Sequence, residues 1–368
     1  MTSHFFLPDT RPYPTDPVKN DLLMYATHIA QNSSGAQTKL ATESLRAQIA
    51  MMLGQNHYLG LSVAMSMAAN ASVYAALFHE LDHVLHAYTE HEVQWFALPV
   101  VLVAGCNQAV RLPLAAPSIE LAACLANYPH TRPLTHATWL PQLLTAADLA
   151  NINAGQWFAA KQNAEAAAQL ATQLTHHHDL HIEAGQSVSV LFAVGYGDKA
   201  LIDALGVQLQ EAALPLMQTW QQSLAVQGLT LFTNPLMPNT PLNALTDGNH
   251  MRLRMALDVF AANAIRAIRL QSPRVGVVMA AQEGGKLLFG FNATDSQFEL
   301  QTQVFTWTLS PLERIETVQQ NFLDLMVECQ VENIRLLHDA LPDGAELPTY
   351  AQALKLTGHN PLFGEGAA

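Results

Sequence analysis

Residues 79–83 read His-Glu-Leu-Asp-His, and two further histidines follow at His86 and His91. On a helix, His79 and His83 lie one turn apart and can share a zinc ion, with Glu80 placed to take a proton from a metal-bound water. That is the chemistry of a zinc-dependent hydrolase with Glu80 as general base. At about 100° per residue, His79, His83, His86 and Glu90 return to one narrow stripe. The same four side chains are therefore candidate ligands of a non-catalytic zinc or nickel site, if a neighbouring chain completes the shell.

Several details weigh against the catalytic reading. A chain with 16 His in 368 residues matches so short a pattern by chance often enough that the motif alone decides nothing. Asp82 places a charge where such a helix is normally packed against its domain. Enzymes with this motif take a third ligand from His at position 89 after Gly at 86, but here those positions hold Thr89 and His86. Where the third ligand is instead a Glu on a later helix, Glu120 is the candidate, without its usual surroundings. Leu77, Leu81, Val84, Leu85 and Tyr88 fall opposite the histidines, so the stripe reads as the polar face of an amphipathic helix, meeting solvent, another helix or a subunit.

Two other stretches have chemistry-bearing spacing. His176-His177-His178-Asp179, with His181 and Glu183 behind, offers a second transition-metal cluster. It falls at the end of a predicted helix, where histidines suit the negative end of the helix dipole. Gly195-Tyr196-Gly197-Asp198-Lys199-Ala200 fits a relaxed glycine-rich loop between a strand and a helix. Backbone amides around Gly195 and Gly197 would there hold a nucleotide phosphate or small anion. The competing reading is a tight turn capped by Asp198. No G-x-S-x-G elbow, phosphate loop with Lys, C-x-x-C pair or paired-carboxylate signature is present.

These residues sit in a chain long enough for two or three domains and rich enough in apolar side chains, at 50%, to bury a large interior. Only 13% of residues are charged, well under the roughly 25% usual in soluble domains. A surface so thin in charge points to a protein partner or a homo-oligomer. The net charge of −13 disfavours nucleic acid and anionic lipid. Three cysteines without C-x-x-C spacing suit a reducing compartment. No secretory signal is expected at the N-terminus, and the most apolar run, Phe96 to Gly105, is too short to cross a bilayer. The expectation is a cytoplasmic protein with no membrane partner.

The fold class read from the pattern is α/β (α+β mixed). Residues 1–20, carrying four prolines, form an extended arm. Residues 21–92 are helical, with one helix stopping at Gly54 and a long Ala- and Met-rich helix ending near Glu92. Residues 93–270 form an α/β region of two strand–helix units, at 93–150 and 187–270, that are candidate versions of one another. Val93 to Gly105 is a buried strand with Pro99 at a bulge or edge. Ser118 to Tyr128, "LPQLLTAADLANI", 156–175 and 211–226 are helices, and "GLTLFTNP" is a strand. Residues 271–340 form a β-β-β-α-β module with a turn at "EGGK" and a helix opened by the capping box Ser310-Pro311-Leu312-Glu313. Residues 341–368 are a tail. Without a complete catalytic constellation, the leading reading is a non-catalytic scaffold, regulatory or assembly protein; the alternatives are the zinc hydrolase and the nucleotide or anion binder.

Overall fold

The computed structural model describes residues 17–31, 35–86, 94–114, 138–162, 164–175, 179–197, 228–294 and 302–357, with 218, 221, 222, 224 and 226. It is a mixture of helices and strands in several sheets, the α/β class expected of the sequence. The chain divides into two compact units, Pro14–Met67 with Ala76–Met255 and Ala68–Ala75 with Ala256–Ala368.

The first unit begins with helices α1 (Pro17–Ala30), α2 (Gly35–Gly54) and α3 (Tyr58–Ser66) and takes in most of α4 (Ala71–His86). Pro17 opens α1 at a position where its missing N–H costs nothing, so the proline-rich arm yields to helix earlier than expected. The stop after α2 is made by Asn56, in the left-handed region at φ 59. Its N–H donates to Leu53 O at 3.1 Å, and that of His57 donates to Met52 O at 2.8 Å. The long Ala- and Met-rich stretch is two helices, α3 and α4. Asn70 accounts for the restart, its Oδ1 accepting from the Val73 N–H at 3.0 Å as an N-cap does.

Strand β1 (Gln94–Cys106) is the centre of the main sheet. It pairs antiparallel along its whole length with β6 (Gly185–Gly197), and on its other side with β7 (Leu229–Pro235). Short strands β3 (Thr138–Trp139) and β4 (Leu144–Thr145) lie on the far edge of β6. β2 (Val110–Pro113) and β5 (Asp179–Ile182), the neighbours in sequence of β1 and β6, pair with each other. Pro99 is thus interior, not at an edge. The ladder adapts to it: Val100 pairs Pro235 but Ala97 bridges Asn239, so one extra residue sits opposite Pro99.

Alternation along β1 supplies two buried faces. Phe96, Leu98, Val100, Leu102 and Ala104 join Leu191 and Ala193 in one core, with Leu112, Leu143 and Ile182. Trp95 on the other face meets Trp157 at 5.3 Å and Tyr196 at 4.7 Å between ring centroids. Trp157 belongs to α6 (Ala154–Gln162), between α5 (Ala146–Ala150) and α7 (Ala164–Leu174). The helix expected over "LPQLLTAADLANI" is only α5; Thr145 caps it reciprocally with Asp148 and so fixes its start.

Helix α8 (Pro241–Arg269) runs for 29 residues where no helix was expected. Asp247-Gly248, at its seventh and eighth positions, has the composition of a turn. The glycine instead allows close packing: a Cβ at Gly248 would lie 3.0 Å from the ring of Phe192 and from Val190 Cγ2.

The second unit has strand order β10-β9-β8-β11, from β8 (Val275–Gln282), β9 (Lys286–Ala293), β10 (Gln303–Thr308) and β11 (Asn333–Leu336). β8, β9 and β10 form an antiparallel meander, turning between the first two at Gly284 and Gly285, both with positive φ. β11 lies parallel to β8 after α9 (Ile315–Glu328), which supplies the crossover. This is the expected β-β-β-α-β order. The capping box at 310–313 forms as a separate turn, with Ser310 N–H donating to Glu313 Oε2 at 2.6 Å, and α9 begins after Arg314.

Phe322 of α9 packs 4.6 Å from Phe289 between ring centroids, and Phe260 of α8 packs on Phe291 and Phe305. The opposite face, with Val278, Ala280 and Leu288, is covered by Leu347 and by Tyr350 and Ala353 of α10 (Tyr350–Thr357). α9 closes at Gln330, a left-handed residue with φ 55, whose N–H and that of Val331 satisfy Val327 O and Met326 O.

Among the described residues no helix is long and apolar enough to cross a membrane. The arm at 1–16 and the helices expected at 118–128 and, for the most part, 211–226 lie outside the described residues.

Candidate functional site

The histidine motif is on the second half of α4, in the first unit. Leu77, Leu81, Val84 and Leu85 are buried, as the helical period requires. Burial extends further round the helix, however, to Phe78, Asp82 and His86. Only His79 and His83 stay exposed, with Glu80 between buried and open. The expected four-residue stripe is therefore narrower: His86 turns inward, and Glu90 lies outside the described residues. His86 is next to Asp82 on the helix surface, and the start of α8 covers that side.

Asp82 is the centre of this coverage. Its Oδ1 accepts a hydrogen bond from Thr240 Oγ1 at 2.8 Å, and its Oδ2 accepts from Asn243 Nδ2 at 2.9 Å. His86 Nδ1 lies 3.0 Å from Asp82 Oδ1 and 3.0 Å from the Asp82 backbone carbonyl. Two acceptors face that nitrogen, so it carries the hydrogen and Nε2 does not when the ring is neutral. The charge that seemed out of place on a packed helix is thus buried because it is saturated with donors.

Two cations complete the arrangement. Arg46 of α2 forms an ion pair with Glu80 at 2.5 Å, the Glu80 side chain being 13% exposed. Lys161 of α6 is buried and donates from Nζ to the Val84 carbonyl at 3.0 Å, in the last described turn of α4, where a cation suits the helix dipole. Burial, and after it the Arg46 guanidinium, push the His83 imidazole below its ordinary pKa; Glu80 and Asp82 pull the other way. At neutral pH this favours the uncharged ring.

Chemically, the Glu80 carboxylate is engaged. To act as a base toward a metal-bound water it would have to leave Arg46. His79 and His83 project to solvent one turn apart, whereas His86 Nε2 is buried without a hydrogen-bond partner. Among the described residues no three His, Cys, Asp or Glu side chains gather as a metal-binding group.

No family model, curated protein or solved structure matches this chain.

Gly195 and Gly197 are strand residues of β6, paired with Phe96 and Gln94 of β1, rather than the turn expected there. The reason at Gly195 is steric. A Cβ would stand 2.7 Å from Phe96 Cζ and 3.2 Å from the Thr138 carbonyl oxygen. Its absence lets the Phe96 ring cross β6 and pack edge-on against Trp139 at 5.0 Å. Residues 198–200, which would complete an anion cradle, lie outside the described residues, as do His176–His178. His181, in β5, pairs with Glu183 at 3.1 Å on the surface.

Nothing in the sequence near the motif marks Arg46, Lys161, Thr240 or Asn243 as its neighbours. Thr240-Pro241 was the available signal, a cap-type residue before a proline at the first position of a helix. Nothing local links it to Asp82, from which Thr240 is 158 residues distant in sequence.

Proposed function

We propose that the protein is a non-catalytic scaffold, regulatory or assembly protein of the cytoplasm that acts through its surfaces on a protein partner or on further copies of itself. The observation that carries this reading is the engagement of Glu80 by Arg46. The one side chain that the hydrolase chemistry needs free is bound in a linkage between helices. Asp82, beside it, serves the same end through Thr240 and Asn243. Cys106 and Cys329 are free thiols, in keeping with a reducing compartment.

A second reading rests on His79 and His83. Two exposed imidazoles on consecutive turns can take a zinc ion whose remaining positions are filled by water or a neighbouring chain. Zinc analysis of protein purified without a histidine tag separates the two. Substoichiometric zinc, with the same melting temperature in chelator, is the expected result. One equivalent of zinc, lost in His83→Ala, would establish the metal-dependent reading, and a zinc-dependent hydrolysis lost in Glu80→Gln would overturn the non-catalytic one.

A further inference from the structure

Arg335 is a buried cation without a counter-charge among the described residues. It lies on β11, the edge strand of the second unit's sheet, opposite Val278 of β8, and is 6% exposed. Its Nη1 donates to the Ile334 carbonyl at 3.2 Å. Its guanidinium carbon stands 5.1 Å from the centroid of the Tyr350 ring. Nε is buried and has no hydrogen-bond partner among the described residues. Among the described residues no carboxylate pairs with it.

A guanidinium taken out of water without an anion is strongly disfavoured, and a carbonyl and a ring face offset only part of that cost. Geometry also identifies the unpartnered nitrogen of the group, Nε. Nη1 is occupied, while Nε and Nη2 share the side-on edge of the fork, the edge that grips two oxygens of one anion in parallel. Tyr350 holds the guanidinium plane, and Leu347 and Tyr350 of the adjoining apolar cluster keep the surroundings dry. A point charge would gain little from such a setting; a flat, preorganised fork gains much.

We propose that Arg335 is the receptor of an oxyanion-binding site, taking a carboxylate or phosphate group side-on through Nε and Nη2 beside the Tyr350 ring. Inorganic phosphate and acetate are the probes, titrated at constant ionic strength against chloride while thermal unfolding is followed. Wild-type protein should rise by several degrees and saturate with at least one of them. Phosphate alone identifies a phosphate site, and acetate acting as well identifies a carboxylate site. Arg335→Met should lose the response and, with the unpaired charge removed, melt no lower than the anion-free wild type. Arg335→Lys keeps the charge without the fork and should need at least tenfold more anion, which keeps the test valid if the methionine variant fails to fold. No response of wild type to either anion, or equal responses of wild type and Arg335→Lys, would overturn the assignment.

Discussion

The carboxylate of Asp82 and the side-chain amide of Asn243 meet at 2.9 Å although 161 residues separate them. Together with Thr240, this contact fastens the second half of α4 to the first turn of α8 in the first unit. The histidine motif therefore lies on a helix held by polar side chains on one side and by its leucines on the other. Both grips use residues of the motif other than its histidines, Asp82 on the polar side and Leu81 among the leucines.

Replacing Asp82 by Ala strands three donors, the buried His86 Nδ1 and the half-buried ones of Thr240 and Asn243. A loss of about 2–4 kcal/mol is expected in urea denaturation. Asn243→Ala, which leaves Asp82 two of its donors, should cost about 1 kcal/mol. Equal costs for the two variants would contradict the central place given to Asp82.

The pH dependence follows from His83. Its pKa is lowered in the folded protein, so the folded state takes up a proton less readily than the unfolded chain. The contribution is intact above the ordinary imidazole value of about 6.5 and is lost as pH falls through that value toward the lower folded one. His83→Gln should therefore flatten the decline of melting temperature on acidification between about pH 7 and 5. A variant profile parallel to wild type would show that other groups set the slope.

Gln330 holds a left-handed conformation at φ 55 that glycine adopts without strain. Gln330→Gly should raise stability by about 0.5–1 kcal/mol, after allowing for the greater freedom of glycine in the unfolded chain. Gln330→Val, β-branched at the same site, should lower it, and both are read from denaturant midpoints.

At Gly195 the outcome is set by Phe96. Gly195→Ala places a methyl group 2.7 Å from Phe96 Cζ, so a loss of about 1–3 kcal/mol is expected. In the Phe96→Leu background the added cost should fall, because the ring that crosses β6 is gone. Additive costs would show that the glycine is needed for another reason.

Much of this architecture is legible locally. The apolar run of β1, the meander of β8 to β10 with its glycine turn, and the alternation of α9 with β11 all follow from period and turn chemistry. What is not legible is set by partners distant in sequence. Nothing local shows that Phe192 and Val190 pack against Gly248 and hold it within α8. Glycines 195 and 197 read as a loop until their pairing with Phe96 and Gln94 of β1 is seen. The capping box at 310–313 does form, but five residues before the helix that it was expected to open. In the site, helical period places His79 and His83 correctly on an exposed face. It cannot show that His86 turns inward to Asp82, because that depends on which element covers each side of α4.

The claim that the motif's charged residues serve the fold is tested most directly by a double-mutant cycle of Arg46→Met and Glu80→Gln, measured in chelator by urea denaturation. A favourable coupling of about 0.5–1.5 kcal/mol between the two side chains is expected. A coupling of zero, with Glu80→Gln harmless to stability, would contradict it and leave Glu80 free for chemistry at a metal.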